Sequence, residues 1–369
     1  MKPLTISACL LAFLCMAFSC KKNTNNPPVE DPDWPTDSVR MVVSQGISRP
    51  WEILWGPDDH IWMTERNGRI SRVDPKTGTV KPLLTVPDVV ATGEGGLLGM
   101  VLHPDFGQTP DVYIVYNYNS DNGYREKVVR YRYADSALGS PAVIIDNIPA
   151  AGIHNGSRLV ISPDNKLFIT TGDANTASNA QLPASLSGKV LRLNLDGTVP
   201  ADNPYPGSPV WSIGHRNPQG LVYVNGTLYA SEHGAGVEDE VNIIEKQRNY
   251  GWPTVEGPCN GGETVFCTAN NIKEPIWSTG NGTFALCGLD FYNNDRIPQW
   301  KNSLLLLSLK NTTLYQLKLS TDGQTVASTK NYFTGAFGRL RDLCVSPAGR
   351  VYICTDENNA KIIEISKPE

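Results

Sequence analysis

One short phrase recurs along this chain: an apolar residue, a turn built from Pro, Asp, Asn or Gly, then an aromatic-rich strand closing on Thr or Ser. It occupies residues 54–64 and 161–170, returns at 222–231 and 345–355, and appears in looser form at 103–116 and 298–308. The turns begin near residues 57, 104, 163, 225, 300 and 347, roughly one every 47–75 residues, which is the range of propeller blades. A further strand follows several copies, at 68–73, 188–195 and 361–365. Six copies of a strand–turn–strand unit predict an all-β chain folded as a six-bladed β-propeller of four-stranded antiparallel blades. A two-domain β-sandwich is the alternative. The ring also answers a size problem: 369 residues strain one ordinary core, whereas blades pack face to face against their neighbours. The 33 glycines and 27 prolines, with few long amphipathic helical patterns, fit many turns and little helix.

The ends and the charge narrow the setting. Lys2, an apolar run over 10–18 and Ala17-Phe18-Ser19-Cys20 make residues 1–20 an export segment, too short to span a membrane comfortably. It resembles a bacterial lipoprotein signal, with Cys20 as the lipid-bearing first residue of the mature chain. Phe18 departs from the usual small residue, which leaves plain secretion as the alternative. Residues 21–38 are rich in Asn, Pro and acids and read as a flexible tether to a body at 39–369. A net charge of -5 without basic runs excludes a nucleic-acid partner. Of the five cysteines in the body, Cys259 and Cys267 bracket a Gly-rich loop that a disulfide would suit in an oxidising compartment. The odd number leaves at least one thiol free, and no spacing suggests zinc.

Candidate chemistry sits in loops between these strands, where function is usually carried. Gly214-His215-Arg216-Asn217-Pro218-Gln219-Gly220 offers a guanidinium fork and an amide, suited to a planar ligand with carboxylates. In Ser231-Glu232-His233-Gly234-Ala235-Gly236-Val237-Glu238-Asp239-Glu240 the glycines free carbonyls to face a cation, and Asp239 and Glu240 are hard oxygen donors of the kind calcium prefers. A capped turn with two solvated acids explains the same residues. His154 lies in a glycine-flanked loop, where an imidazole is a good general base, and Asp173 closes the next strand of the same blade, placed to hold its ring. A hydrogen-bonding surface histidine is the plainer reading. Lys310 follows the four leucines at 304–307, and Arg339 and Arg341 share a strand face by the two-residue period, unless they are simply solvated. The run Thr92-Gly93-Glu94-Gly95-Gly96 is not a nucleotide fingerprint, since no helix follows it.

The motifs GHRNPQG, SEHG followed by DEVN, and NYGWP together resemble the glucose/sorbosone dehydrogenases, soluble aldose dehydrogenases that use pyrroloquinoline quinone. The likeness runs from about Ile47 to Ile365. It implies oxidation of an aldose at C1 to a lactone, with hydride passing to the quinone and electrons then leaving to an acceptor. It places His154, Asp173 and Arg216 at the catalytic centre, His154 taking the sugar hydroxyl proton. It assigns cofactor contacts to Glu94, Arg216, Asn217, Gln219, His233, Thr283, Lys310, Arg339 and Arg341. It implies calcium held by the carbonyls of Gly234 and Ala235, and a second, structural calcium at Glu240 and the Tyr250 carbonyl. Glu94 stands where the family has glutamine, His233 where glutamine is frequent, and Asn281 where glucose-specific members stack a tryptophan. Two other readings compete: a calcium-dependent lactonase-type hydrolase, and a non-catalytic propeller binding glycans or proteins.

Overall fold

The computed structural model describes Met1 and residues 38–366. Residues 2–37, which hold the expected export segment with Cys20 and the tether, lie outside the described residues.

Six four-stranded antiparallel sheets make the predicted six-bladed propeller. Blade 1 covers residues 50–85, blade 2 residues 97–149, blade 3 residues 156–213, blade 4 residues 218–278 and blade 5 residues 286–332. Blade 6 joins three strands from 340–365 to the strand Val39–Val43, which pairs Val39 with Ile365 and closes the ring through the first strand of the body. Apolar runs form strands buried on both faces because every sheet is covered by a neighbour on each side. Ser303–Ser308, for example, is buried at all six positions. The core is therefore a set of inter-blade layers, such as Trp62, Ile70, Leu97, Met100 and Ile114 between blades 1 and 2.

The expected disulfide joins Cys259 to Cys267 and ties the loop before the helix Thr264–Asn270 to the helix itself. Cys287, Cys344 and Cys354 are free and buried.

Two regularities decide where chemistry can sit. The innermost strand of every blade runs in the same sense, so the entries to Pro50–Trp55, Leu97–Leu102, Gly156–Ile161, Pro218–Val224, Leu286–Tyr292 and Leu340–Val345 surround one mouth of the channel. The exits of the second strands reach the same mouth. In addition, all six innermost strands break register with the second strand at that entry, between Pro50 and Glu52, Leu97 and Met100, Gly156 and Leu159, Pro218 and Gly220, Leu286 and Leu289, and Leu340 and Asp342. A β-bulge re-aims the side chain it carries. Here it turns Trp51, Arg158, Gln219 and Arg341 into mutual contact at the channel.

Candidate active site

His154 enters blade 3 with φ +59, left-handed backbone that is costly for a side chain and accumulates at functional sites. Its Nδ1 lies 2.9 Å from Asp173 Oδ1, and the ring is nearly covered, 13% exposed. With the Nδ1 proton donated to that carboxylate, Nε2 keeps its lone pair and can accept a proton. Asp173 is fixed in turn. Its Oδ1 accepts the Asn175 N–H at 2.8 Å, its Oδ2 accepts the Trp252 indole N–H at 2.8 Å, and its own N–H donates to the Arg216 carbonyl at 2.8 Å. The Trp252 ring lies 5.2 Å from the guanidinium carbon of Arg216, so one indole links the His154–Asp173 pair to Arg216.

The cations are linked to their surroundings by routes the strand period did not predict. Arg339 precedes the innermost strand of blade 6 and Arg341 is its bulge residue, so what unites them is Asp356, at 3.6 Å from Arg339 Nε and 3.1 Å from Arg341 Nη2. Burial opposes ionisation of Asp356, but the two arginines hold its carboxyl below the ordinary range. Arg341 Nη1 also donates to Gln219 Oε1 at 2.7 Å. Lys310 donates to the Thr283 hydroxyl at 3.0 Å, and an Arg339 Nη1 contact with the Leu309 carbonyl at 3.5 Å ties that pair to blade 6. Asn217 Oδ1 accepts the Gly156 N–H at 3.0 Å, and Arg216 Nη1 donates to the His233 carbonyl at 3.3 Å. Burial, then the charges of Arg341 and Arg216, push the His233 imidazole down to about 3, so it is neutral at working pH.

Several atoms of this mouth have no partner in the protein: Arg216 Nε, Asn217 Nδ2, His233 Nε2 and Arg341 Nε are all buried and unsatisfied. Buried donors left open in this way are rare and call for an occupant. Beneath them Arg158 binds Glu52 at 2.6 Å and Asp342 at 3.0 Å and stacks 4.3 Å from the Trp51 ring, forming a charged floor.

A small cavity of about 10 Å³, room for one water-sized or ion-sized occupant, shares Arg216, His233 and Trp252 with the mouth. Glu232, Glu238, Glu240 and Glu256 line it with Gly234 and Tyr250. Burial first, then repulsion from Glu232, pushes the Glu240 carboxyl up to about 8. Crowded, buried carboxyls of this kind suit a hard cation. Among the described residues no three His, Cys, Asp or Glu side chains form a cage by themselves. Backbone carbonyls such as those of Gly234, Ala235 and Tyr250 would have to complete any shell. Asp239 differs from the expectation: its carboxylate takes the N–H groups of Gly234, Phe284 and Leu286 and is a strut between blades 4 and 5.

Glu94 lies within electrostatic reach of Arg66. Its carboxylate accepts the His154 backbone N–H at 3.2 Å. Ser212, His215 and Glu232 line up as hydroxyl, imidazole and acid at 2.8 and 3.0 Å, but His215 and Ser212 are fully buried and His215 stacks on Tyr250. That array braces the Arg216 backbone, whose N–H goes to Glu232.

Sequence reading missed Arg66, Trp252 and Asp356. The residue just after the second strand is Arg66 in blade 1, Asp173 (one glycine later) in blade 3, His233 in blade 4 and Asp356 in blade 6. Aligning the six phrases at that position would have found Arg66 and Asp356, but not Trp252, which lies in the loop after the third strand of blade 4.

Fold and mouth together define a class: a six-bladed propeller that sets an acid-oriented imidazole beside a ring of cationic and amide donors. The model of the Glucose / Sorbosone dehydrogenase family matches residues 47–364, and the chain belongs to that family. It is 33% identical to quinoprotein glucose dehydrogenase B of Acinetobacter calcoaceticus, over 86% of this chain and 85% of that one. It is likewise 33% identical to the aldose sugar dehydrogenase YliI of Escherichia coli K12, over 88% and 92%. Among solved structures, the PQQ-bound aldose sugar dehydrogenase of Streptomyces coelicolor superposes with a TM-score of 0.78 at 32% identity, covering 89% of this chain and 98% of that one.

Proposed function

We propose that this protein oxidises aldose sugars at C1 to lactones, using pyrroloquinoline quinone and calcium. The observation that carries the reading is the set of unsatisfied buried atoms on Arg216, Asn217, His233 and Arg341, gathered around a histidine already oriented by Asp173. Arg216, Asn217, Gln219, His233, Thr283, Lys310, Arg339 and Arg341 would hold the tricarboxylated cofactor, with Glu94 at the rim. When bound, the quinone supplies a hydride acceptor. His154 Nε2 takes the proton of the anomeric hydroxyl, and Asp173 stabilises the imidazolium so formed. Such a base contributes about 10²–10⁴ in rate. Arg216 places positive charge at the reacting edge, and the Trp252 indole keeps it in line with the base. Calcium would sit against the carbonyls of Gly234 and Ala235, and a structural ion at Glu240 and Tyr250.

Relatives described as glucose and aldose sugar dehydrogenases support the substrate class. A lactonase-type hydrolase would keep free carboxylates in the channel, whereas Glu52 and Asp342 are both bound to Arg158, which favours the dehydrogenase. Export as a lipoprotein through Cys20, or by plain secretion, would put the enzyme outside the cytoplasm.

The test is reconstitution of the purified chain with pyrroloquinoline quinone and calcium, assayed on glucose and other aldoses with an artificial electron acceptor. Activity that His154→Ala abolishes while the cofactor still binds supports the reading. Lactone hydrolysis without cofactor, or cofactor binding with no sugar oxidation, would sink it.

A further inference from the structure

We propose that Glu94 is a positioning residue for His154, and that Arg66 holds Glu94 in place; the proposal rests on His154 being the base. His154 occupies left-handed backbone at φ +59, a conformation that persists only where its surroundings over-determine it. Three contacts do so. Asp173 holds Nδ1 at 2.9 Å, the Ala174 N–H donates to the His154 carbonyl at 3.1 Å, and the Glu94 carboxylate accepts the His154 N–H at 3.2 Å. Only the third comes from another blade connection, and it ties the base residue itself to that neighbour.

Glu94 is delivered by a segment with no freedom to drift. Its own N–H donates to the Gly152 carbonyl at 2.7 Å, two residues before the base. A Cβ on Gly93 would lie 2.0 Å from that same carbonyl, and one on Gly96, at φ +139, would lie 2.2 Å from the Arg66 carbonyl. Glycine is required at both places for backbone to meet backbone. The Arg66 guanidinium then clamps the outside of the loop, reaching the Gly93 carbonyl and, at 2.9 Å, the Gly95 carbonyl. The chain of contact runs Arg66, glycine loop, Glu94, His154 backbone, imidazole. The carboxylate faces a peptide N–H of the base, and the Arg66 charge nearby offsets its own.

The test uses the chain reconstituted with pyrroloquinoline quinone and calcium, and reads kcat, KM for an aldose and cofactor Kd separately. Glu94→Ala should lower kcat about tenfold or more with cofactor Kd unchanged, since a hydrogen bond to a charged group is lost from the base and none from the cofactor. Glu94→Gln, whose amide oxygen accepts the same N–H, should restore kcat to within about threefold of wild type. Arg66→Ala should lower kcat in the same way, and the double variant should be no worse than Glu94→Ala alone, because both act through one contact. A thermal melt confirms that each variant is folded. Glu94→Ala with normal kcat, a Glu94→Ala defect confined to cofactor Kd, or failure of Glu94→Gln to rescue would each overturn the proposal. His154→Ala is the control: if it stays active, the base assignment itself has failed, a result separate from all of these.

Discussion

Burial pushes the carboxyl of Glu126 up to about 8, against the opposing pull of the Ser157 hydroxyl and Asn117. Its Oε1 has no partner. A carboxyl raised above its unfolded value of 4.5 takes up a proton on folding, so its contribution to stability is full below pH 4.5 and is lost as pH rises through 8. Glu126→Gln should flatten the fall in melting temperature between those limits, a change of roughly a few kcal/mol at pH 8. Melting curves from pH 4 to 9 decide it, and an unchanged slope would show that other groups set the dependence. Residue by residue, the candidates that stood out in the sequence are unusual types in glycine-bounded loops, such as His154, Arg216, Asn217 and His233. Arg66 and Asp356 were not, because a lone arginine or aspartate after a strand looks like any solvated end. Only the ring reveals that these ends face one another, Asp356 meeting two arginines within 3.6 Å.

The recurring device of the fold is the bulge at the mouth end of each innermost strand. It is why Arg341, and not the residue that strand alternation would choose, reaches Gln219 in a different blade. Close packing fixes it: a Cβ on Gly288 of blade 5 would lie 2.2 Å from Asp342 Oδ1 and 2.7 Å from its Cα in blade 6. Gly288→Ala should therefore cost about 1–3 kcal/mol. The loss would appear as a lower urea midpoint at constant slope, and Arg158 would be disturbed through Asp342. Gly139→Ala, where nothing lies within 4 Å, should stay within about 0.5 kcal/mol and serves as the reference. Equal effects from the two would remove close inter-blade packing as the cause. Strands and turns could be read from alternation and from Pro, Asp and Gly. The bulges could not, since register belongs to a pair of strands and leaves no mark on either alone. The closing strand Val39–Val43 was equally silent, its partner Ile362–Ile365 lying at the far end of the sequence.

At the scale of the whole molecule, a closed ring turns six unremarkable loop ends into one site. Residues as distant in sequence as Glu94 and Arg341 share a mouth because every innermost strand enters there. The same closure gives a bound ion or cofactor leverage over the entire fold, since anything that binds only the folded state adds to its stability. Chelation of the calcium-loaded protein should lower its melting temperature, by the equivalent of about 2.7 kcal/mol where free calcium had stood at a hundred times its Kd. A melt indifferent to chelator would count against the sites at Gly234, Ala235, Glu240 and Tyr250. The central claim is that this mouth removes hydride from C1 of an aldose while His154 takes the hydroxyl proton. It is tested most directly by mixing the protein, loaded with pyrroloquinoline quinone and calcium, with glucose deuterated at C1 and following reduction of the cofactor's absorbance in a single turnover. The account predicts a several-fold slower reduction than with ordinary glucose, and no slowing with glucose deuterated at C2; reduction at equal rates for all three sugars, or none at all, would contradict it.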